Sequence, residues 1–256
     1  MIFRSDDESY ATESRAMNTT LDFSTVSRLP TADRPLAGQH ILVVEDSRYA
    51  CEALRLLCLR SGARIRRADC LTSGRRHLST YRPGILVVDL GLPDGEGTDL
   101  IREAAHATPP IDVIVAISGD SSRETEALAA GAHVFMEKPL SLIDKFQNEI
   151  VALLPVAQRP TGLRIARGEM VHPDEIAFHD DMARAAECMA DDADPETLEY
   201  AVQFVAGVAR SIGDEELQAA ADAVVSNREL GKPFHSELAY LSGLVQNRIV
   251  ETRPVI

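Results

Sequence analysis

The residues able to do chemistry occur in a telling order. Glu45 and Asp46 follow the apolar run Ile41-Leu42-Val43-Val44, and Asp89 closes the run Ile85-Leu86-Val87-Val88. Ser118 follows Val113–Ile117, and Lys138, with Pro139 behind it, lies just beyond His133–Met136. Short, continuously apolar runs are expected of parallel strands buried on both faces. In an open parallel sheet, ligands bind beyond the carboxyl ends of the strands. Three carboxylates gathered there repel one another unless a cation sits among them. Mg²⁺, a hard octahedral ion that takes oxygen ligands, suits such a set. A carboxylate is also a nucleophile toward phosphorus and can become an aspartyl-phosphate. A metal neutralises charge during in-line transfer, and a lysine and a hydroxyl can hold the product's oxygens.

The elements that must position these residues alternate. Strand-like runs at 41–44, 63–66, 85–88, 113–117 and 133–136 are separated by helical patterns near 50–58, 72–80, 98–106 and 122–130, with a last one at 142–154. Alternation over about 115 residues predicts an α/β fold with a doubly wound, five-stranded parallel sheet. Residues 1–38 are polar and lack periodicity, so they are expected to form a disordered arm; Met17 is an alternative start. Pro155, Pro160 and Gly162 mark a linker over 156–171. From 172 to 256 the text is helical, with helices expected over Asp174–Ala190, Pro195–Ile212, Asp214–Asn227 and Ser236–Val250. Asp194 fits an N-cap before Pro195, and Gly213 and Gly231 fit helix ends. The run Asp191-Asp192-Ala193-Asp194 reads as a capped interhelix turn.

Residues 39–155 resemble the receiver domain of bacterial response regulators, which has a flavodoxin-like fold. The resemblance rests on the acidic pair, on Leu86-Val-Val-Asp-Leu-Gly-Leu-Pro-Asp-Gly-Glu-Gly97, on Ser118-Gly119 and on Phe135-Met-Glu-Lys-Pro139. It implies that Asp89 accepts phosphate from a sensor histidine kinase or a histidine phosphotransfer (Hpt) protein. It further implies Mg²⁺ held by Glu45, Asp46, Asp89 and the backbone carbonyl of Gly91. Ser118 and Lys138 would take the phosphoryl oxygens, Gly119 would leave room for them, and Phe135 would be the aromatic switch. Gly91 and Asp120 flank the site where the family tunes phosphoryl lifetime.

The stretch Leu198–Leu217 resembles the central hairpin of an Hpt domain. Gly207 matches the small residue beside the phosphohistidine, Gly213 the helix-ending glycine, and Asp214-Glu215-Glu216-Leu217 the next helix start. The phosphohistidine position holds Gln203, and the lysine position holds Ala206. Glutamine cannot carry a phosphoramidate, so the resemblance is to a degenerate Hpt domain. An unrelated four-helix bundle in which Gly207 permits close packing is the other reading. His179 and His235 lie on expected helices without an Hpt-like context.

Composition narrows the function. The chain has 256 residues, with 40 Asp plus Glu against 26 Lys plus Arg and a formal charge of −14. From residue 156 onward the counts are eighteen against nine, a field that repels nucleic acid. No apolar run approaches the length needed to cross a bilayer, and the start lacks a signal-peptide core, so a cytoplasmic protein is expected. Cys51, Cys58, Cys70 and Cys188 form no metal-ligand spacing and read as reduced thiols. No catalytic motif occurs outside the receiver-like half. The expectation is a response regulator with no separate enzyme activity. Its helical bundle would act through protein–protein contacts with a kinase, another receiver or a second copy. The alternatives are a relay passing phosphate to a bundle histidine and, less favoured, a divergent DNA-binding regulator.

Overall fold

The computed structural model describes residues 29–162, 166–190 and 193–252. The expected arm over 1–38 lies mostly outside them, as do Met17, Asp191 and Asp192. Five strands form one parallel sheet: β1 (His40–Val44), β2 (Arg64–Ala68), β3 (Ile85–Asp89), β4 (Val113–Ser118) and β5 (Val134–Glu137), in the order β2-β1-β3-β4-β5. Between them run α1 (Arg48–Ser61), α2 (Leu71–Thr80), α3 (Gly97–Ala105) and α4 (Glu124–Ala130), and α5 (Ile143–Leu153) closes the unit. This is the flavodoxin-like order, with its crevice where β1 and β3 diverge.

Alternation within each strand builds two cores. Ile41, Val43, Val87, Val115 and Ile117 face α1 and α5, against Leu54, Leu57, Phe146 and Ile150. Leu42, Val44, Leu86, Val88 and Ile114 face α2, α3 and α4, against Leu71, Leu100, Ile101 and Ala127. β2 is one of the two edge strands and carries Arg64, Arg66 and Arg67, charges that discourage edge pairing. A small hairpin that the sequence reading omitted, Gly91–Leu92 paired with Gly95–Glu96, follows β3. Its Asp94 accepts the Leu71 and Thr72 amides, capping α2, whose own N-cap residue Cys70 offers no side-chain bond.

Beyond the linker lie α6 (Glu175–Cys188), α7 (Pro195–Ile212), α8 (Glu215–Glu229) and α9 (His235–Glu251). They enclose a third core containing Phe178, Met182, Val205, Leu217, Leu241 and Val245. Asp194 accepts the Glu196 and Thr197 amides ahead of Pro195, and Gly213 closes α7 at φ 76°, as expected. Gly207 has open space where a Cβ would point, so close packing does not account for it. All four cysteines are free thiols. No helix among the described residues is long and apolar enough to cross a membrane.

Candidate functional site

The sheet's carboxyl edge gathers the expected residues. Glu45 and Asp46 lie immediately after β1, Asp89 ends β3, Ser118 ends β4 and Lys138 follows β5. Glu45, Asp46 and Asp89 are buried and bring carboxylate oxygens within 4.8 Å of one another. Lys138 Nζ sits between two of them, 2.6 Å from Glu45 Oε2 and 2.9 Å from Asp89 Oδ1. Ser118 positions both neighbours: its carbonyl accepts the Lys138 amide at 2.8 Å, and its hydroxyl accepts the Asp120 amide at 3.1 Å. The Gly91 amide donates to Asp89 Oδ2 at 3.2 Å. Phe135 is half-buried against the α2–α3–α4 side of the sheet.

Electrostatics in this pocket favours an added cation. Burial, offset only in part by Lys138, pushes the Glu45 carboxyl up to about 8, with Asp89 and Asp46 adding to the rise. Burial pushes Asp46 up to about 6 against a lowering hydrogen bond from Tyr200. Burial also works against the Lys138 ammonium, but Asp89 and Glu45 outweigh it and hold its pKa above the ordinary lysine range. Glu45 Oε2 is buried, and its partner is the Lys138 ammonium 2.6 Å away. Hard oxygen donors and the mutual repulsion of three buried carboxylates fit a divalent cation.

Four residues of the helical half complete the site, and sequence reasoning missed all of them. The Tyr200 hydroxyl donates to Asp46 Oδ2. Arg184 Nη1 donates to the Asp46 carbonyl at 3.0 Å and lies 3.5 Å from Asp46 Oδ2. Asp181 accepts the Ser47 hydroxyl at 2.8 Å and the Arg48 and Tyr49 amides at 2.8 and 3.0 Å. Arg210 Nη1 donates to the Gly119 carbonyl at 2.6 Å. A Cβ on Gly119 would lie 2.6 Å from that nitrogen, so Arg210 fills the space beside Gly119. One of the four left a readable sign: Asp181 falls on the apolar stripe of Phe178, Met182 and Ala185 and is 1% exposed.

The remaining expectations lie apart from the pocket. Gln203 is exposed on α7, beside a cavity of about 260 Å³ lined by Val202, Val224 and Phe234. His179 is half-buried on α6, 3.7 Å from Asp180, and His235 is exposed at the start of α9.

Residues 41–148 match the family model described as "Response regulator receiver domain". The chain is 31% identical over 120 residues to the KDP operon transcriptional regulatory protein KdpE of Escherichia coli K12, covering 47% of this chain and 51% of that protein. It is 32% identical over 121 residues to the virulence transcriptional regulatory protein PhoP of Salmonella typhi, covering 46% and 51%. The chain thus spans about half the length of these curated relatives. Among solved structures, the receiver domain of a sensor histidine kinase from Pseudomonas aeruginosa, with magnesium in its cleft, aligns at 21% identity and TM-score 0.41, covering 46% of this chain and 98% of that one. The response regulator TrrA of Thermotoga maritima, in complex with Mg²⁺ and BeF, aligns at 19% identity and TM-score 0.41, covering 45% and 99%. Residues 41–148 are a response-regulator receiver domain, a module typically phosphorylated on aspartate and binding Mg²⁺ at an acidic site.

Proposed function

We propose that the chain is a response regulator phosphorylated on Asp89 by a sensor histidine kinase or an Hpt protein. Its receiver domain spans 39–155, and a linker over 156–171 leads to a helical output domain over 172–256. The observation that carries this reading is Lys138 held between Asp89 and Glu45, 2.9 and 2.6 Å away. A fixed positive charge beside Asp89 supports the reading, because a phosphoryl group on that carboxylate would bring negative oxygens that need one. Glu45, Asp46, Asp89 and the Gly91 carbonyl would hold Mg²⁺, which when bound neutralises charge on the transferring group. The Ser118 hydroxyl and Lys138 take the new oxygens, and movement of Ser118 lets Phe135 repack, a shift between existing populations.

The output is contact between proteins: the bundle engages a kinase, another receiver or a second copy of itself. The exposed Gln203 at the Hpt-like position supports a docking surface without phosphohistidine chemistry. The protein works in the cytoplasm. Treating it with a small phosphodonor or beryllofluoride tests the reading. Label on Asp89 together with altered partner binding or oligomeric state is the expected result. Unchanged contacts would rule out this output.

A DNA-binding output is the second reading, favoured by the transcriptional regulators among the relatives. The acidic excess from residue 156 onward argues against it. A salt-dependent shift of DNA by the phosphorylated chain would establish it instead.

A further inference from the structure

The helical bundle lies across the edge of the sheet where the receiver's chemistry is placed. It grips that edge at three points. Asp181 of α6 takes three donors from the start of α1: the Ser47 hydroxyl and the Arg48 and Tyr49 amides. A carboxylate there also suits the positive end of the helix dipole. Arg210 at the end of α7 binds the Gly119 carbonyl beside Ser118. Between these anchors, Tyr200 and Arg184 reach Asp46. The Arg184 guanidinium is held over the rings of Tyr200 and Phe204, 5.9 and 5.6 Å from their centroids, a cation–π arrangement that fixes its aim.

These contacts do at Asp46 what a cation would do. Glu45, Asp46 and Asp89 carry three negative charges when ionised, and Lys138 supplies one positive charge. Arg184 supplies a second positive charge, and the Tyr200 hydroxyl takes a lone pair of Asp46 Oδ2. Mg²⁺ demands a near-regular octahedron of oxygens at short distance. An oxygen already bonded to a phenol and faced by a guanidinium is a poor ligand for it, because the phenol proton and the second cation must first leave.

We propose that the bundle and a divalent cation compete for Asp46. Tyr200 and Arg184 are the cation's stand-ins, and occupancy by the ion releases the helices from the receiver. This rests on the reading of Glu45, Asp46 and Asp89 as a divalent-cation site. Competition of this kind is reciprocal: docking weakens ion binding by the factor by which the ion weakens docking. Asp181 and Arg210 anchor the bundle without touching the carboxylate cluster, so loss of an anchor strengthens ion binding from outside the ion's own shell.

The test is a Mg²⁺ titration of the full chain by calorimetry, with exchange of the Arg48 and Tyr49 amides followed by NMR. Those two amides report docking because their acceptor is Asp181. Added Mg²⁺ is expected to speed their exchange in the wild-type chain. Asp181→Asn and Tyr200→Phe are expected to bind Mg²⁺ about fivefold or more tightly than wild type, within the ordinary range of coupling between sites. Helical circular dichroism checks each variant's fold; if a variant unfolds, the wild-type titration and the other variant decide. Equal Mg²⁺ affinity in all three chains, with unchanged amide exchange, would overturn the competition while leaving the metal site standing. Absence of Mg²⁺ binding in all three would overturn the metal site and the competition together.

Discussion

The α carbon of Gly97 lies directly against the main chain of Asp89. A Cβ on residue 97 would sit 2.0 Å from the Asp89 carbonyl oxygen and 2.9 Å from the Leu90 α carbon. The Gly97 amide donates to the Leu90 carbonyl at 3.0 Å, so the first residue of α3 is bonded to the backbone beside Asp89. Hydrogen at this position is therefore a condition for placing Asp89 at the crevice.

Gly97→Ala must separate α3 from the end of β3, because the opposing atoms are backbone and cannot rotate away. A loss of about 1–3 kcal/mol is expected, the usual cost of overpacking. Urea denaturation measures it. Phosphorylation by a small phosphodonor should slow as well, since Asp89 moves with its own carbonyl. Unchanged stability would mean that α3 is free to shift.

Lys138→Met leaves Glu45 and Asp89 without their shared buried cation. Destabilisation on the order of 3 kcal/mol at neutral pH is expected in chelator, the range for breaking a buried ion pair. Saturating Mg²⁺ should recover part of that loss, since a ligand of the folded state alone stabilises it. Denaturation with and without Mg²⁺ checks both parts. No recovery would argue against a cation site among these carboxylates.

Asp214 tests the bundle by itself. Its carboxylate accepts the Leu217 amide at 3.0 Å, capping α8, and pairs with Arg248 Nε at 2.7 Å. The Arg248 hydrogen bond holds Asp214 below its ordinary value of 3.8. A lowered folded pKa gives stability that is present above the unfolded value and is lost as pH falls through the folded one. Asp214→Asn keeps a capping side chain but loses the charge. It should cost about 1–2 kcal/mol at pH 7 by the usual worth of a charged hydrogen bond. The gap to wild type should close as pH falls below the ordinary aspartate range. Thermal melts at several acid pH values read the convergence, and a gap that stays constant would exclude the ion pair as its source.

Asp89→Ala distinguishes an end station from a relay. Incubated with a separately phosphorylated receiver, this variant should take up no label, because Gln203 stands at the Hpt-like position. Acid-labile, base-stable phosphate on His179 or His235 would establish the relay reading in its place.

What the amino-acid sequence determined is local. The apolar runs specify strands because only a two-sided core accepts them, and their C-terminal polar residues must then meet at one edge. Glu45, Asp46, Asp89, Ser118 and Lys138 were legible for that reason, as were the Asp194 cap and the Gly213 helix end. The small hairpin at 91–96 was not, since two-residue strands carry no periodicity. Only the tertiary structure decided that the bundle covers the acidic edge. Tyr200 meets Asp46 across 154 residues of chain, and Arg210 meets Gly119 across 91. Neither pair leaves a periodic or spacing signal. A tyrosine or arginine on a solvated helix face is ordinary until packing of the third core fixes which way that face points.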